Sequence, residues 1–437
     1  MCRIALLKSA YNGSMSNGGT STHVELNDFT GMTLVHEWLP IQTTGEGSPI
    51  IRVGDISILF NGEIFNHEEE SDLKLIEKIV EAEGISGLIH FLYSGAADGF
   101  WSIIIHSPFE TLAMTDPLGK KQLYYKEGVG IASEIRALRD SCEVDDGKHL
   151  ANTIKFGYCF DNSTPWKNIK RLMPNRIYSF RSLKAVKATD AQYDFFEPEA
   201  LPQDLYSLME EATLNRMARQ PDVSIALLLS GGLDSSIIAH HLRNSNVQSY
   251  CVDNKLDIEF AEMVDPNVKV IETKPDDLER AIHIMEYPLD LGSVAPQLAL
   301  AESVSETIMV TGDGADELFG GYRRASVYDS QLSDVFCELP FYHHIRLDRM
   351  AAYTTKEIRS PFLNLNVVKY ALDLGWSKRR DKNHLRQIYE DYLPQDIIVR
   401  AKEPLKTTAV RAEDPILYRQ KLLNIFRGKI DVKKFNI

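Results

Sequence analysis

The chain has no apolar run long enough to cross a membrane, no Cys-x-x-Cys pair and no block of basic residues beyond Lys378-Arg-Arg380. The first absence excludes a membrane-spanning helix, which needs about 20 consecutive apolar residues. The opening Met1 to Leu7 holds one basic residue and too short an apolar run for a signal peptide. Five cysteines, Cys2, Cys142, Cys159, Cys251 and Cys337, are odd in number and widely spaced. That usage argues against zinc and against a disulfide framework, so a reducing, cytoplasmic setting is expected. Lys and Arg number 48 against 62 Asp and Glu, and 48 minus 62 gives the net charge of −14. An acidic chain without a basic face is a poor partner for nucleic acid, and substrate anions must be met by local donors. The Gly-x-x-x-x-Gly-Lys-Ser/Thr pattern of γ-phosphate-transferring loops is missing as well. What remains is 437 residues with 44% apolar content, enough for two large cores.

The most informative stretch present is Leu227-Leu-Leu-Ser-Gly-Gly-Leu-Asp-Ser-Ser236. Val223 to Leu229 is a short apolar run suited to a central parallel strand, and Ile237 to Leu242 resumes with helical spacing. Ser230 to Ser236 is therefore a strand-to-helix turn. Gly231 and Gly232 allow close backbone approach, Ser230, Ser235 and Ser236 add hydroxyls, and the helix dipole favours an anion. The segment resembles the PP-loop of ATP pyrophosphatases, which adenylate a substrate and release pyrophosphate. A second buried strand, Ile308 to Thr311, leads into Gly312-Asp-Gly-Ala-Asp-Glu-Leu-Phe-Gly-Gly-Tyr322 at its carboxyl end, where open parallel sheets bind ligands. Asp313, Asp316 and Glu317 would repel one another there unless a cation intervened. Magnesium, which bridges carboxylates and nucleotide phosphates, is expected on Asp234 and Asp316. Leu229, Ser230, Gly231, Gly232, Asp234, Ser235, Ser236, Gly312 and Asp313 are the expected ATP-binding residues.

The start of the chain adds a nucleophile. Removal of Met1 would expose Cys2, whose own α-amine, with a pKa near 7.7 in the unperturbed state, can serve its thiol as base. Ile58-Leu-Phe60 reads as a strand leading into Asn61-Gly-Glu-Ile-Phe-Asn66, where the Asn61 amide and the Gly62 N–H would form an oxyanion hole.

With these elements in order, the chain resembles the glutamine-hydrolysing asparagine synthetases from Cys2 to about Lys406. Cys2, His36-Glu-Trp-Leu39, Asn61-Gly-Glu63 and Ser71-Asp72 are similar to the glutaminase half of that family. Ser230 to Ser236, Gly312 to Tyr322, Glu357-Ile-Arg-Ser-Pro-Phe-Leu363 and Lys382-Asn-His-Leu-Arg386 are similar to the synthetase half. The resemblance implies an N-terminal αββα glutaminase sandwich followed by a doubly wound α/β synthetase domain. It also implies that Glu63 and Asp72 bind the amide donor, that Lys382 reaches the adenylate, and that an acidic residue acts as base for the incoming amine. Glu286 is the first choice for that base and Asp290 the second. Two departures stand out. The family's Arg-Gly-Pro-Asp element is replaced by Asn17-Gly-Gly-Thr-Ser-Thr22, and Trp38 stands where the family has the arginine that grips the α-carboxylate of glutamine. An indole has one donor and no charge, so it cannot replace a guanidinium fork, and Arg52 and His36 are the candidates to compensate.

The expected organisation is a glutaminase domain over 2–184, a linker over 185–203 without firm periodicity, and a synthetase domain over 204–437. In the first domain Ser71-Asp72 should cap a helix burying Leu73, Ile76, Ile79 and Val80. In the second, strands are expected at 223–229, 247–252, 268–271 and 308–311, alternating with helices. The expected function is ATP- and magnesium-dependent amidation of a carboxylate, with aspartate the default acceptor and glutamine or free ammonia the nitrogen donor. An adenylating ligase or cyclase like the β-lactam synthetases, a non-catalytic nucleotide sensor and an isolated glutaminase are the alternatives. Partners are small molecules, with no nucleic acid and no membrane, and a homodimer is the self-association left open.

Overall fold

The computed structural model describes every residue except 1, 14, 16–20, 29, 42–47, 140–143, 145–146, 192–202, 218–222, 275–276, 290–292, 323–334, 402–422 and 424–437. Met1, Asn17 to Thr20, Cys142, Asp290 and Lys406 therefore lie outside the described residues, as does nearly all of the stretch after Lys406. The N-terminal part carries β1 (Arg3–Leu7), β2 (Ser21–Asn27), β3 (Met32–Trp38), β4 (Ile51–Val53), β5 (Ile56–Ile64), α1 (Asp72–Tyr93), β6 (Gly99–His106) and β7 (Thr111–Thr115). β8 (Tyr124–Lys126), β9 (Gly130–Ala132), α2 (Lys148–Phe156), β10 (Lys170–Arg171), β11 (Arg176–Arg181) and β12 (Lys184–Asp190) complete it. These strands make two six-stranded sheets, ordered β10-β8-β9-β1-β3-β2 and β12-β11-β7-β6-β5-β4.

Alternation of side chains places Ile4, Leu6 and Leu34 of the first sheet against Leu59, Ile104 and Phe180 of the second, so the two sheets form a sandwich with an apolar centre. The far face of the second sheet, with Ile58, Trp101 and Ile103, is covered by Leu75, Ile76, Val80, Leu88 and Leu92 of α1. Ser71 caps that helix as expected, its hydroxyl accepting from the Lys74 N–H at 3.3 Å. Leu75 is buried where Leu73 and Ile79 are only partly so, and the helix runs on through a kink at Gly84 (φ 72°). β12 pairs with β11 from Lys184 to Asp190, so the first third of the expected linker is an edge strand. Its outward residues are mostly exposed, which is why no apolar period marked it.

The C-terminal part runs α3 (Leu205–Asn215), β13 (Ile225–Leu228), α4 (Leu233–Leu242), β14 (Gln248–Val252), α5 (Lys255–Val264), β15 (Lys269–Ile271), α6 (Asp277–Met285) and α7 (Val294–Ser303). β16 (Ile308–Val310), α8 (Ala315–Phe319), α9 (His344–Tyr353), β17 (Glu357–Arg359), α10 (Leu365–Asp373), α11 (Trp376–Arg379), α12 (Asn383–Tyr389) and α13 (Gln395–Val399) follow. The strands form one parallel sheet in the order β15-β14-β13-β16-β17, with each expected strand present within two residues. Ile225, Leu227 and Leu229 face α3, α4 and α10, while Ala226 and Leu228 face α6, α7 and α9, so the sheet is doubly wound. Among the described residues no helix is long and apolar enough to cross a membrane.

The two parts share one core. Ala5, Leu7, Val35, Tyr124 and Ala132, on the outer face of the first sheet, cluster with Met285, Val294, Leu298, Ile345 and Met350 of the C-terminal part. A second junction is ionic. Asp98 accepts two bonds from Arg216, at 2.6 and 2.9 Å, one from the Asn364 amide at 2.7 Å and one from the Leu365 N–H at 2.9 Å. All of these side chains are buried. Asp98→Ala strands the Arg216 guanidinium in the junction, and we expect a loss of about 3–5 kcal/mol, read as a lowered urea midpoint.

Candidate active sites

The glycine-serine loop sits where β13 gives way to α4. Gly231 has φ 65°, and a Cβ there would lie 2.4 Å from the Ala261 nitrogen, so only glycine lets the loop rest on α5. Gly232 caps α4 without a side chain, and the Ser230 hydroxyl lies 3.4 Å from both the Gly232 N–H and the Ser235 hydroxyl. The Ser236 hydroxyl is fully buried with no hydrogen-bond partner among the described residues. A phosphate oxygen would satisfy it.

The acidic loop leaves β16, the strand beside β13, and the two loops touch. A Cβ on Gly312 would fall 2.8 Å from Cβ of Asp234 and 3.1 Å from the Ser235 nitrogen. Lys382 joins them: its ammonium donates to both Asp234 oxygens, at 2.6 and 2.7 Å, and forms an ion pair with Asp316. Lys382 and Asp381 both adopt left-handed backbone, φ 60° and 53°, at a cost of about 1–2 kcal/mol each. The loop and Lys382 are packed tightly, since a Cβ on Gly321 would lie 2.4 Å from the Lys382 Cε. Asp313 accepts from the Thr311 hydroxyl at 2.5 Å and from Arg346 at 2.8 Å. Glu317 takes a bond from the Tyr322 hydroxyl at 2.8 Å, and burial next to Asp316 lifts its carboxyl to about 7. Arg400, unremarked in the sequence, holds the loop from behind by donating to the Ser230 carbonyl at 2.8 Å while paired with Asp257 at 2.5 Å.

The second site surrounds Cys2. The Leu39 N–H donates to its sulfur at 3.4 Å, and burial pushes the thiol above its ordinary value. Asn61, Gly62 and Glu63 lie inside β5, opposite Ser102, Trp101 and Phe100, rather than in a loop after it. A Cβ on Gly62 would sit 2.1 Å from the Phe100 carbonyl, which explains the glycine. The Asn61 amide donates to the Ser102 hydroxyl at 3.4 Å, and its own oxygen is buried without a partner among the described residues. Asp72 accepts from the Ile64 N–H at 3.1 Å and pairs with His67 at 2.9 Å. Burial, then the Glu357 and Asp72 charges, raise Glu63 well above the usual carboxylate range. Trp38 is buried edge-on to His23, their rings 5.9 Å apart. Neither suggested substitute offers a free cation: Arg52 bonds Ser57 and Glu25, both at 2.5 Å, and burial lowers His36 to about 3, which leaves its ring neutral.

Between the sites run contacts that no motif announced. Arg359 of β17 lies 3.6 Å from Glu63, pairs with Glu357 at 2.8 Å, and lends its carbonyl to the Thr311 N–H at 2.9 Å. Burial raises Glu357, but Arg359 and Lys121 outweigh it and leave the carboxyl below its ordinary value. Lys120 donates to the Ile358 carbonyl at 2.7 Å, and burial next to Lys121 lowers it to about 7. A small pocket opens here, lined by Phe100, Asp116, Leu118 and Lys120 on one side and Arg216 and Ser360 on the other. Glu286, the first-choice base, is 5% exposed and held by the Arg136 N–H at 3.2 Å with Arg139 and Arg349 near 4 Å. Burial raises its carboxyl. Its backbone is left-handed, φ 59°, and Trp166 donates to its carbonyl at 3.1 Å.

Comparison with known proteins identifies both halves of the chain. The asparagine synthase family model matches residues 204–340 and 327–427, and the glutamine amidotransferase domain model matches 10–193. The chain belongs to the asparagine synthase family. It is thus an enzyme of the carbon–nitrogen ligase type, with a glutamine amidotransferase domain ahead of the synthase domain. A probable glutamine-hydrolysing asparagine synthetase of Acanthamoeba polyphaga mimivirus is 25% identical, over 91% of this chain and 80% of its own. The corresponding proteins of Dictyostelium discoideum and Sandersonia aurantiaca are also 25% identical, over 85% of this chain and 76% and 77% of theirs. Among solved structures, the allosteric regulatory enzyme of purine biosynthesis superposes over 63% of this chain and 81% of its own at a TM-score of 0.32 and 10% identity.

Two outcomes test the site. Gly312→Ala drives a methyl into Asp234, and we expect ATP affinity to fall about tenfold or more, the equivalent of at least ~1.4 kcal/mol, in an isothermal titration. Burial lifts Asp116 to about 6, against backbone N–H bonds from Lys120 and Lys121 that favour its charge. A folded value above the ordinary 3.8 means stability that is complete below about 3.8 and lost as pH rises through about 6, up to about 3 kcal/mol. Urea midpoints at pH 4 and 7 should show that decline, and Asp116→Asn should flatten it.

Proposed function

We propose that the chain activates a carboxylate as its acyl-adenylate and amidates it, most simply aspartate to asparagine. The contact of Gly312 with Asp234, which makes one site of the glycine-serine loop and the acidic loop, carries this reading. A free carboxylate is a poor electrophile. Its attack on the α-phosphorus of ATP expels pyrophosphate toward Ser230, Gly231, Gly232, Ser235 and Ser236, where loop N–H groups, hydroxyls and the start of α4 favour an anion. Lys382 offers its charge to the adenylate phosphate and to the oxyanion formed as ammonia adds. Ammonia then displaces AMP, with Glu286 as the proton acceptor. Asp234 and Asp316 are the hard oxygen ligands that magnesium takes; the ion would replace the Lys382 ammonium that pairs with both carboxylates here and leave it to the adenylate phosphate. The ion's chemistry would be charge neutralisation on the polyphosphate.

At the first site Cys2, once Met1 is removed, attacks the glutamine amide, with Asn61 and Gly62 facing the oxyanion and Glu63 and Asp72 holding the donor. Ammonia released there then passes to the second site. Trp38, buried against His23 without charge, favours free ammonia as an equally good nitrogen source.

AMP and pyrophosphate formation with ATP, magnesium and aspartate tests the reading, with glutamine or ammonium chloride as donor, in the native chain and in Cys2→Ala. We expect activity with ammonium in both proteins and loss of any glutamine-driven activity in Cys2→Ala. No pyrophosphate with either donor would remove aspartate as acceptor.

A further inference from the structure

Glu286 stands just past the end of α6, and its N–H still donates to the Ile282 carbonyl at 3.1 Å. Its left-handed backbone, φ 59°, is strained for a residue with a side chain and lasts only where the surroundings over-determine it. Groups from the N-terminal part of the chain do so. The Trp166 indole N–H donates to the Glu286 carbonyl at 3.1 Å, and the Arg136 N–H donates to Oε2 of its carboxylate at 3.2 Å. The Arg139 guanidinium lies 4.2 Å from the centre of the Trp166 ring and 3.9 Å from Oε1 of Glu286, so it bridges the two.

Each of these holders is itself fixed. Trp166 lies in a turn closed by the Thr164 hydroxyl, which accepts from the Trp166 N–H at 3.2 Å and donates to the Ile169 carbonyl at 2.8 Å. Arg136 belongs to a single 3-10 turn, Ile135–Ala137, and Ser133 just ahead of it is tied to β1. The Ser133 N–H donates to the Ile4 carbonyl at 2.9 Å, and its hydroxyl accepts from the Ile4 N–H at 3.0 Å. These contacts leave one atom over. Oε1 of Glu286 is buried and has no hydrogen-bond partner among the described residues, whereas Oε2 is held. A buried acceptor left unbonded is costly, and it suits an oxygen kept open for a proton.

We propose that Trp166 and Arg139 are positioning residues for the amide-forming step, fixing the Glu286 peptide and carboxylate so that Oε1 meets the attacking ammonia. This rests on the amidation reading above, in which Glu286 is the proton acceptor, and adds to it that residues of the glutaminase domain set the base. In that step the ammonia nitrogen bonds to the acyl carbon. The bond from that carbon to the adenylate oxygen breaks with its electron pair leaving on AMP, and one proton passes from nitrogen to Oε1. The adenylation that precedes it needs no proton acceptor, so loss of Trp166 or Arg139 separates the two half-reactions.

The test uses the full chain with ATP, magnesium, aspartate and ammonium chloride, so that the Cys2 site is not needed. Asparagine formation reads the whole reaction, and a single-turnover quench without ammonium, measuring pyrophosphate formed on the enzyme, reads adenylation alone. Trp166→Phe keeps a ring beside Arg139 and removes the N–H. We expect its kcat for asparagine to fall about tenfold, while the adenylation rate and the KM for ATP stay within about twofold. Glu286→Gln should show the same split, and adding Trp166→Phe to it should cost nothing further, because both changes act through one carboxylate. Arg139→Gln, at a side chain 37% exposed, should lower amidation about threefold with adenylation unchanged, and it serves if Trp166→Phe fails to fold. Equal falls in adenylation and amidation overturn the positioning role, since a merely structural loss weakens both. So do losses that multiply in the double variant, and so does unchanged amidation in Trp166→Phe. Full amidation by Glu286→Gln removes the base and its positioning together while leaving adenylation standing; no pyrophosphate from the native enzyme defeats the amidation reading itself.

Discussion

The outer face of the first sheet is apolar and is covered by helices from the other half of the chain. Ala5, Leu7, Val35 and Tyr124 are buried only because Met285, Val294, Leu298 and Met350 lie on them. Burial of this kind is the dominant favourable term in folding, so each half draws stability from the other. The arrangement also decides where charges go. Arg3, at the start of the first strand, pairs with Glu37 at 3.0 Å and donates to the Ala352 carbonyl, and Arg349 answers from α9 through Glu134. Cys2 is therefore set next to a strand that is pinned to the synthase domain.

Within the synthase domain a steric condition plays the corresponding part. The approach of Gly312 to Asp234 leaves no room for a side chain, and it brings three carboxylates near the glycine-serine loop. Lys382 keeps this arrangement stable, its ammonium lying between Asp234 and Asp316 in strained backbone. Strain of that sort persists only where surrounding structure over-determines it. Here Gly320 and Gly321 supply the room and the Asp381 N–H donates to the Gly320 carbonyl at 3.2 Å.

Much of this was legible in the residues and some was not. The strands β13 and β16 were visible because buried parallel strands read as unbroken apolar runs, and their loops because glycine and carboxylates cluster there for few other reasons. β12 escaped because an edge strand with both faces wet has no apolar period. Asn61 to Glu63 were placed after a strand and proved to be inside it, since Gly62 looks like a turn residue until Phe100 is seen against it. Arg346, Arg359 and Arg400 were out of reach for a different reason. An arginine's partners lie far away in sequence, and nothing local distinguishes a solvated guanidinium from one buried in a junction.

Arg400 has a bearing on how the molecule is made. Its bond to the Ser230 carbonyl closes a loop of 170 positions, and its guanidinium lies 4.2 Å from the centre of the Phe260 ring. During synthesis, strand β13 and its glycine turn emerge well before the residue that braces them, and the outer face of the first sheet waits as long for its helices. The nascent chain therefore exposes an apolar sheet face and an unbraced glycine-serine loop together, and both are covered late. Order in time, as well as in space, couples the two halves.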